Sequence, residues 1–456
     1  MAHQPLAGER SQVARAPLGR DTIAAVATPP GRGGVGVVRL SGPESVRIAV
    51  AIAGPLGPPR HARHARFLDA SGALLDEGLV LHFAAPASFT GEEVVELQGH
   101  GGPMVMQELL RACVALGARI AEPGEFTRRA FLNDRIDLAQ AEGVADLIDA
   151  ASAEAARSAA RSLSGAFSER IHALVADLVQ LRIHVEAGID FPEEEIDPAD
   201  AAWRRDRLVA LRADLDTVLA EARQGAVLRE GLTVVLIGRP NVGKSSLLNA
   251  LAGDEVAIVT PIPGTTRDYV KATITLEGVP VQLVDTAGLR DSTDEVERLG
   301  IERSWKAVES AGAVLFVSDT DAAALEDAQL LARVPPSLPV ARVRNKIDAQ
   351  PTRIAAGPAE LLVSARTGDG LAALRAWILS AAGWRPHGEA VFMARSRHLD
   401  ALGRARTALE EAASLSAFEL QAEEFRVAQA ALGEITGEVS ADTLLGKIFS
   451  AFCIGK

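Results

Sequence analysis

The sequence predicts a multidomain α/β protein. It has an N-terminal α+β domain, an α-helical bundle in two separate segments, and a mostly parallel α/β domain inserted between them. Three patterns carry that expectation. From Asp21 short apolar runs alternate with Gly- and Pro-rich turns, the texture of strands. From Ile136 long runs without turn residues place Phe167, Ile171, Leu174, Leu178, Leu181 and Val185 at 4-3-4-3-4 spacing, the seam of a bundle helix. At Leu232–Ile237 an apolar run meets a Gly-rich turn and then a helical run, and helical texture returns after Gly383.

A length of 456 residues suits about three domains. The expected boundaries are a disordered tail at 1–20, the α+β domain at 21–135, helical segments at 136–230 and 384–456, and the inserted domain at 231–383. A formal net charge of −13 argues against a general nucleic-acid coat. Two cysteines, Cys113 and Cys453, form no metal-type cluster and suit a reducing cytoplasm. The first twenty residues lack the apolar core of a signal peptide, and no stretch is long and apolar enough to span a bilayer, so no membrane role is expected.

In chain order, Thr22–Thr28 reads as a strand. Gly31-Arg-Gly-Gly-Val-Gly36 matches the spacing of a dinucleotide fingerprint, but that motif must open a helix, and Val37–Leu40 is β-like. The glycines therefore read as a turn or bulge. Val46–Ile52 reads as a helix, and His61 to Phe83 as two strands about a Ser-Gly turn. In Phe89–Gly102, Val94, Glu96 and Gln98 share one strand face. That face is either a small-molecule pocket or an ordinary solvated surface. Met104–Leu116 reads as a helix with Cys113 turned to the core. Glu122–Asn133 reads as a loop whose basic pair, Arg128 and Arg129, is more often a solvated face than an anion site. A second bundle helix carries Leu208, Leu211, Leu215, Val218 and Leu219 on one face, and later ones carry Leu399, Leu402 and Leu409, then Phe425, Ala428, Leu432 and Ile435.

The turn at the centre is Gly238-Arg-Pro-Asn-Val-Gly-Lys-Ser245, followed by Ser246. Strand, G-x-x-x-x-G-K-[ST] and helix together make a phosphate loop, whose backbone N–H groups and helix N-terminus face phosphate oxygens. Asn241, Val242, Gly243, Lys244, Ser245 and Ser246 are the expected nucleotide contacts. Lys244 reaches the outer phosphates, and Ser245 holds Mg²⁺. Thr260-Pro261-Ile262-Pro263-Gly264-Thr265-Thr266 fits a switch segment, with Thr266 as second Mg²⁺ ligand. Asp285-Thr286-Ala287-Gly288 ends an apolar strand, where an aspartate can hold Mg²⁺ through water and the glycine amide can sense the γ-phosphate. Asn345-Lys346-Ile-Asp348 supplies an aspartate for guanine N1 and N2, and Ser364-Ala365-Arg366 a backbone N–H for guanine O6. Four motifs in this order, each at a strand end, predict a Ras-like P-loop GTPase domain that binds GTP.

Leu289 stands where Ras-type proteins carry their water-orienting glutamine, and leucine cannot orient water. Another polar group and another positive charge are needed. The side-chain oxygen of Asn241 can help hold a monovalent cation, or it can merely shape the loop. Asp294-Glu-Val-Glu297 offers acids, or a solvated acidic loop.

After residue 20 the chain resembles the MnmE (TrmE) family of tRNA-modification GTPases over nearly its whole length. The resemblance rests on Ala27–Gly36, Phe89-Thr-Gly-Glu, Glu96–Gly102, Pro123–Phe126, Ala130–Asn133, Asp190–Glu195, the GTPase motifs and Cys453-Ile-Gly-Lys456. It implies an N-terminal domain that dimerises and binds folate, a discontinuous helical domain, and the inserted GTPase. It implies a homodimer acting with an FAD protein, MnmG, in a heterotetramer on the wobble uridine of tRNA. The carbon donor is then a tetrahydrofolate derivative (5,10-methylene or 5-formyl), with FAD on the partner. Folate positions carry over to Arg39, Glu96, Arg135 and Lys456; arginine stands at 135 where some members have lysine, which keeps the charge but changes donor geometry. K⁺ falls to Asn241, Thr260, Ile262 and Thr265, and Glu297 matches the family's water-orienting acid. Cys453 is either part of the folate pocket and tail structure or a nucleophile, which would need a lowered pKa. A GTP-switched ribosome or RNA assembly factor is the alternative function. It calls for an RNA-binding module beside the GTPase, and none is legible.

Overall fold

The computed structural model describes residues 21–190, 198–253, 270–285, 305–319, 324–349, 360–385, 392–438, 442–450 and 452–455. The chain divides into two compact units, one formed by residues up to 145 together with those from 426 onward, the other by residues 146–425.

The first unit begins with β1 (Ile23–Val26), β2 (Gly33–Ser41), α1 (Ser45–Ala53), β3 (Arg63–Leu68), β4 (Leu74–Phe83), β5 (Val94–Gly101), α2 (Pro103–Ala115), β6 (Arg119–Ile120), α3 (Glu125–Leu132) and α4 (Leu138–Ile148). Its sheet runs β3-β4-β5-β2-β1-β6, antiparallel except for the β1–β6 pair. Strand alternation decides the faces. Val38, Leu40, Val80, Val95 and Leu97 pack on Ile48, Ala49 and Ile52 of α1 and on Met106, Leu109 and Cys113 of α2. Burial pushes the Cys113 thiol up to about 12, so it is an inert core residue.

The glycine-rich stretch forms no helix. It enters β2 through a register shift between Gly33 and Gly36, a bulge as expected. A Cβ at Gly36 would lie 2.4 Å from Met106 Sδ, which explains a glycine there.

One expectation is overturned. Residues 125–132 are a helix, not a loop, opened by Gly124 in a left-handed conformation (φ 66°) that favours glycine. Arg128 is exposed, but Arg129 is only 2% exposed. Its guanidinium meets Asp21 Oδ1 at 2.9 Å, Glu92 Oε2 at 3.1 Å and Glu125 Oε1 at 3.0 Å. Helical periodicity turns Arg128 outward and Arg129 inward, which a loop reading could not separate.

The second unit holds α5 (Ala153–Leu163), α6 (Ala166–Asp190), α7 (Pro198–Glu230), β7 (Leu232–Ile237), α8 (Lys244–Ala252), β8 (Val270–Leu276), β9 (Val279–Asp285), β10 (Ala313–Ser318), α9 (Ala324–Leu331), β11 (Val340–Arg344), β12 (Glu360–Leu362), α10 (Leu371–Ala381) and α11 (Ser396–Ser414). The α6 seam from Phe167 to Val185 is buried throughout, and Phe167 stacks on Phe392 at 4.4 Å. The sheet order is β12-β11-β10-β7-β9-β8, parallel except for the β8–β9 hairpin. The hairpin turn meets α5: Ser152 Oγ donates to the Gly278 carbonyl at 2.6 Å and also caps the helix by accepting the Ala155 amide at 3.1 Å.

The helix α12 (Phe418–Thr436) crosses from the second unit into the first, which is completed by α13 (Asp442–Ser450) and the tail. Leu445, Ile448, Phe449 and Phe452 pack with Phe131, Leu138 and Ala141. Ile454 forms a β-bridge with Pro123, and the Gly124 amide donates to the Cys453 carbonyl at 3.2 Å. Among the described residues no helix is long and apolar enough to cross a membrane.

Candidate functional site

The parallel register aligns the carboxyl ends of β7, β9, β10, β11 and β12 on one edge: Leu236 lies opposite Asp285, Ile237 opposite Phe316, Ser318 opposite Arg344, and Arg344 opposite Leu362. Open parallel sheets bind ligands at this edge, where the strand order reverses. Each predicted motif within the described residues sits there.

The loop from Gly238 to Gly243 joins β7 to α8. Gly238 (φ 147°) and Gly243 (φ 94°) have left-handed backbone, and so does Asn241 (φ 64°), an uncommon conformation for a residue with a side chain. A Cβ at Gly238 would lie 2.2 Å from the Val317 carbonyl oxygen. Lys244, 7% exposed, donates from Nζ to the Gly238 and Arg239 carbonyls at 2.9 and 3.0 Å. Burial lowers its pKa against the opposing pull of the Asp285 charge. Ser245 Oγ donates to Asp285 Oδ2 at 2.5 Å, whereas the buried Asp285 Oδ1 has no hydrogen-bond partner among the described residues. A hydroxyl and an unsatisfied carboxylate oxygen at a phosphate loop fit a hard divalent cation. Asn241 is exposed, Val242 is buried, and Ser246 is exposed on the first turn of α8.

The Asn345–Asp348 and Ser364–Arg366 motifs also brace the loop. Asn345, 1% exposed, donates to the Val242 carbonyl at 3.0 Å and accepts the Ala365 amide on Oδ1 at 3.1 Å. Lys346 Nζ donates to the Asn241 carbonyl at 2.6 Å and meets Asp319 Oδ2 at 2.9 Å. Ser364 Oγ donates to Asp348 Oδ1 at 2.5 Å, and Arg366 meets Asp348 Oδ2 at 2.6 Å. The Ser364 hydrogen bond, aided by the Arg366 charge, holds the Asp348 carboxyl below its ordinary range, so it stays an acceptor. The sequence reading passed over Arg239, Asp319 and Asp327. Asp319 follows an apolar strand as Asp285 and Asn345 follow theirs, a signal that was present.

Thr260, Pro261, Ile262, Pro263, Gly264, Thr265, Thr266, Thr286, Ala287, Gly288, Leu289 and Glu297 lie outside the described residues, as does Lys456.

In the first unit Arg39 and Glu96 are register partners on the sheet face turned away from α1 and α2. Arg39 Nε donates to Glu96 Oε1 at 3.0 Å, and Gln98 Nε2 donates to Glu96 Oε2 at 3.1 Å. The Arg39 guanidinium lies 5.7 Å from the Phe126 ring centre. The Glu96 side chain is 14% exposed, so this row is a partly sheltered polar site and not an ordinary solvated face. The tail runs close by, since a Cβ at Gly455 would lie 2.5 Å from the Val26 carbonyl oxygen. Arg135 is exposed, with its Cγ 3.2 Å from where a Cβ at Gly91 would stand. Cys453 is exposed and free.

A phosphate loop between β7 and α8, with Asp285, Asn345–Asp348 and Ser364–Arg366 on one sheet edge, defines a P-loop GTPase. Two family models match: "MnmE helical domain" over residues 138–453 and "GTP-binding protein TrmE N-terminus" over residues 22–135. Similar curated proteins include the tRNA modification GTPase MnmE of Thiobacillus denitrificans, 60% identical over 96% of this chain and 98% of that protein. The protein of the same name from Ralstonia nicotianae is 57% identical over 98% of this chain and 99% of its own length. That from Neisseria meningitidis is 59% identical over 95% and 99% respectively. The chain belongs to the MnmE family of tRNA modification GTPases. It is a GTP hydrolase acting in tRNA modification.

Proposed function

We propose that this chain is the K⁺-stimulated, GTP-hydrolysing component of the machinery that installs (carboxymethyl)aminomethyl at C5 of the tRNA wobble uridine. The observation that carries the cation part is Asn241. It stands exposed in the phosphate loop with left-handed backbone, and its side-chain amide has no partner among the described residues. Thr260, Ile262 and Thr265 complete the cation's ligands, and Glu297 orients the attacking water where Leu289 cannot. The cation favours pairing of two GTPase domains across the nucleotides, within a homodimer. Ser245 and Thr266 hold Mg²⁺, with Asp285 acting through water; the ion neutralises charge on the outer phosphates. Lys244 contacts the same phosphates, and Asp348 selects guanine.

The Arg39–Glu96–Gln98 row fits a tetrahydrofolate donor, because a carboxylate held in place by Arg39 and Gln98 can accept from the N–H donors of a flat heterocycle. Arg135 and Lys456 supply positive charge for the folate carboxylates. Cys453 has a structural role in the tail, where its carbonyl accepts the Gly124 amide. The FAD protein MnmG is the partner in a heterotetramer, in the cytoplasm. Hydrolysis rates in K⁺ against Na⁺ test the cation part, and equal rates would sink it. Mass spectrometry of tRNA nucleosides from cells lacking the chain tests the modification; an unchanged wobble uridine would sink that part.

A further inference from the structure

The carboxyl end of β10 carries an aspartate outside the four GTPase motifs. Asp319 Oδ2 meets Lys346 Nζ at 2.9 Å, and its Oδ1 lies 3.6 Å from the Arg239 guanidinium. Both cations belong to the loop's support. Lys346 Nζ holds the Asn241 carbonyl at 2.6 Å. Arg239 is itself the second residue of the loop, and its Nε donates to Asp327 Oδ1 of α9 at 3.0 Å. The Arg239, Asp319 and Asp327 side chains are 16%, 24% and 13% accessible, and that of Lys346 is 42% accessible. The loop is thus gripped at Arg239 through its side chain and at Asn241 through its carbonyl, and Asp319 hydrogen-bonds Lys346 at the second grip and lies at ion-pair distance, beyond a hydrogen bond, from the first.

This matters most at Asn241. Asn241 has left-handed backbone, which asparagine adopts more readily than most residues with a Cβ but which surrounding contacts still have to hold. The contact that holds the Asn241 peptide is Lys346, and the carboxylate that orients Lys346 is Asp319. A lysine without that carboxylate regains a flexible four-carbon stem and loses its fixed direction.

We propose that Asp319 is a positioning residue for GTP hydrolysis, fixing the Asn241 peptide through Lys346 and steadying Arg239, so that the loop is already shaped for phosphates before nucleotide arrives. Preorganisation of this kind appears as affinity, because binding then orders less of the chain. The part of the proposal that concerns cations rests on reading Asn241 as a K⁺ ligand.

The test uses the full chain with Asp319→Ala and Asp319→Asn, measuring GDP affinity, kcat and KM for GTP, and the K⁺ concentration for half-maximal hydrolysis. Asp319→Ala should weaken GDP binding and raise KM about tenfold, a loss of about 1.4 kcal/mol. Asp319→Asn keeps an oxygen acceptor for Lys346 and should restore both to within about threefold. The half-maximal K⁺ concentration should rise in Asp319→Ala. Wild-type GDP affinity in Asp319→Ala would overturn the proposal. So would equal losses in both variants with a matching fall in melting temperature, which mark a merely structural role. If wild-type hydrolysis ignores K⁺, the reading of Asn241 fails, but the GDP arm still decides the role of Asp319.

Discussion

Asn345 Nδ2 donates to the Val242 carbonyl at 3.0 Å, so the Asn345–Asp348 motif and the phosphate loop share a buried hydrogen bond. The same side chain accepts the Ala365 amide. Asn345→Ala removes both contacts and strands two backbone groups. We expect an unfolding free energy lower by about 1–3 kcal/mol in urea titrations and weaker GDP binding. Loss of guanine affinity with unchanged stability would contradict the bracing role.

Gly243 is constrained twice. Its φ is 94°, and a Cβ there would lie 2.4 Å from Asn345 Nδ2. Gly243→Ala should therefore leave far-UV circular dichroism near wild type while GDP affinity falls about ten- to hundredfold, as expected for about 1–3 kcal/mol of strain. GDP titration by fluorescence reads this directly.

Arg129 is the buried centre of a charge cluster with Asp21, Glu92 and Glu125. Arg129→Met should cost about 1–3 kcal/mol, because Glu92 loses its cation while Asp21 and Glu125 keep Arg119. The cluster also sets an acid dependence. Burial pushes the Glu125 carboxyl upward, but hydrogen bonds from Arg119, the Glu122 amide and Arg129 outweigh it and hold the group below its ordinary 4.5. A depressed folded pKa means stability that is full above the unfolded value and lost as pH falls through the folded one. Wild-type urea midpoints should therefore drop below about pH 4.5, and Arg129→Met should flatten that slope.

His100 Nδ1 lies 2.7 Å from Asp76 Oδ1, and the His100 amide donates to Asp76 Oδ2 at 2.7 Å. The hydrogen bond and then the charge of Asp76 raise the imidazole above its ordinary 6.5. The raised value makes this contribution full below the unfolded pKa and lost as pH rises through the folded one. An NMR titration should place the His100 midpoint above 6.5 in wild type and lower in Asp76→Asn.

Much of the second unit was legible because each motif follows an apolar strand, and parallel register alone gathers strand ends on one edge. Leu232–Ile237 has the expected bounds. The buried bundle seam was legible for the same reason, since six apolar residues share one helical period. Arg129 was not legible. A basic pair in sequence has no inside or outside until a helix assigns one, and its carboxylate partners lie as far as 108 residues away. The Glu96 row was half legible: strand alternation put Glu96 and Gln98 together, but only the pairing of β2 with β5 brought Arg39 to them. Asp319 escaped because its work is done on lysine and arginine side chains, not on a ligand.

The last residues of the chain also bear on the order of its synthesis. Phe449 and Phe452 complete the cluster around Phe131 and Leu138, and Ile454 bridges Pro123. Residues 146–425 intervene, so the ribosome delivers a whole second unit before the first receives its closing pieces. Chains tend to fold by domains as they emerge. Here the unit begun first is finished last, and an early stop codon, even one that removes only the final helix and tail, would leave the Phe131 face bare in a protein whose GTPase core is already translated.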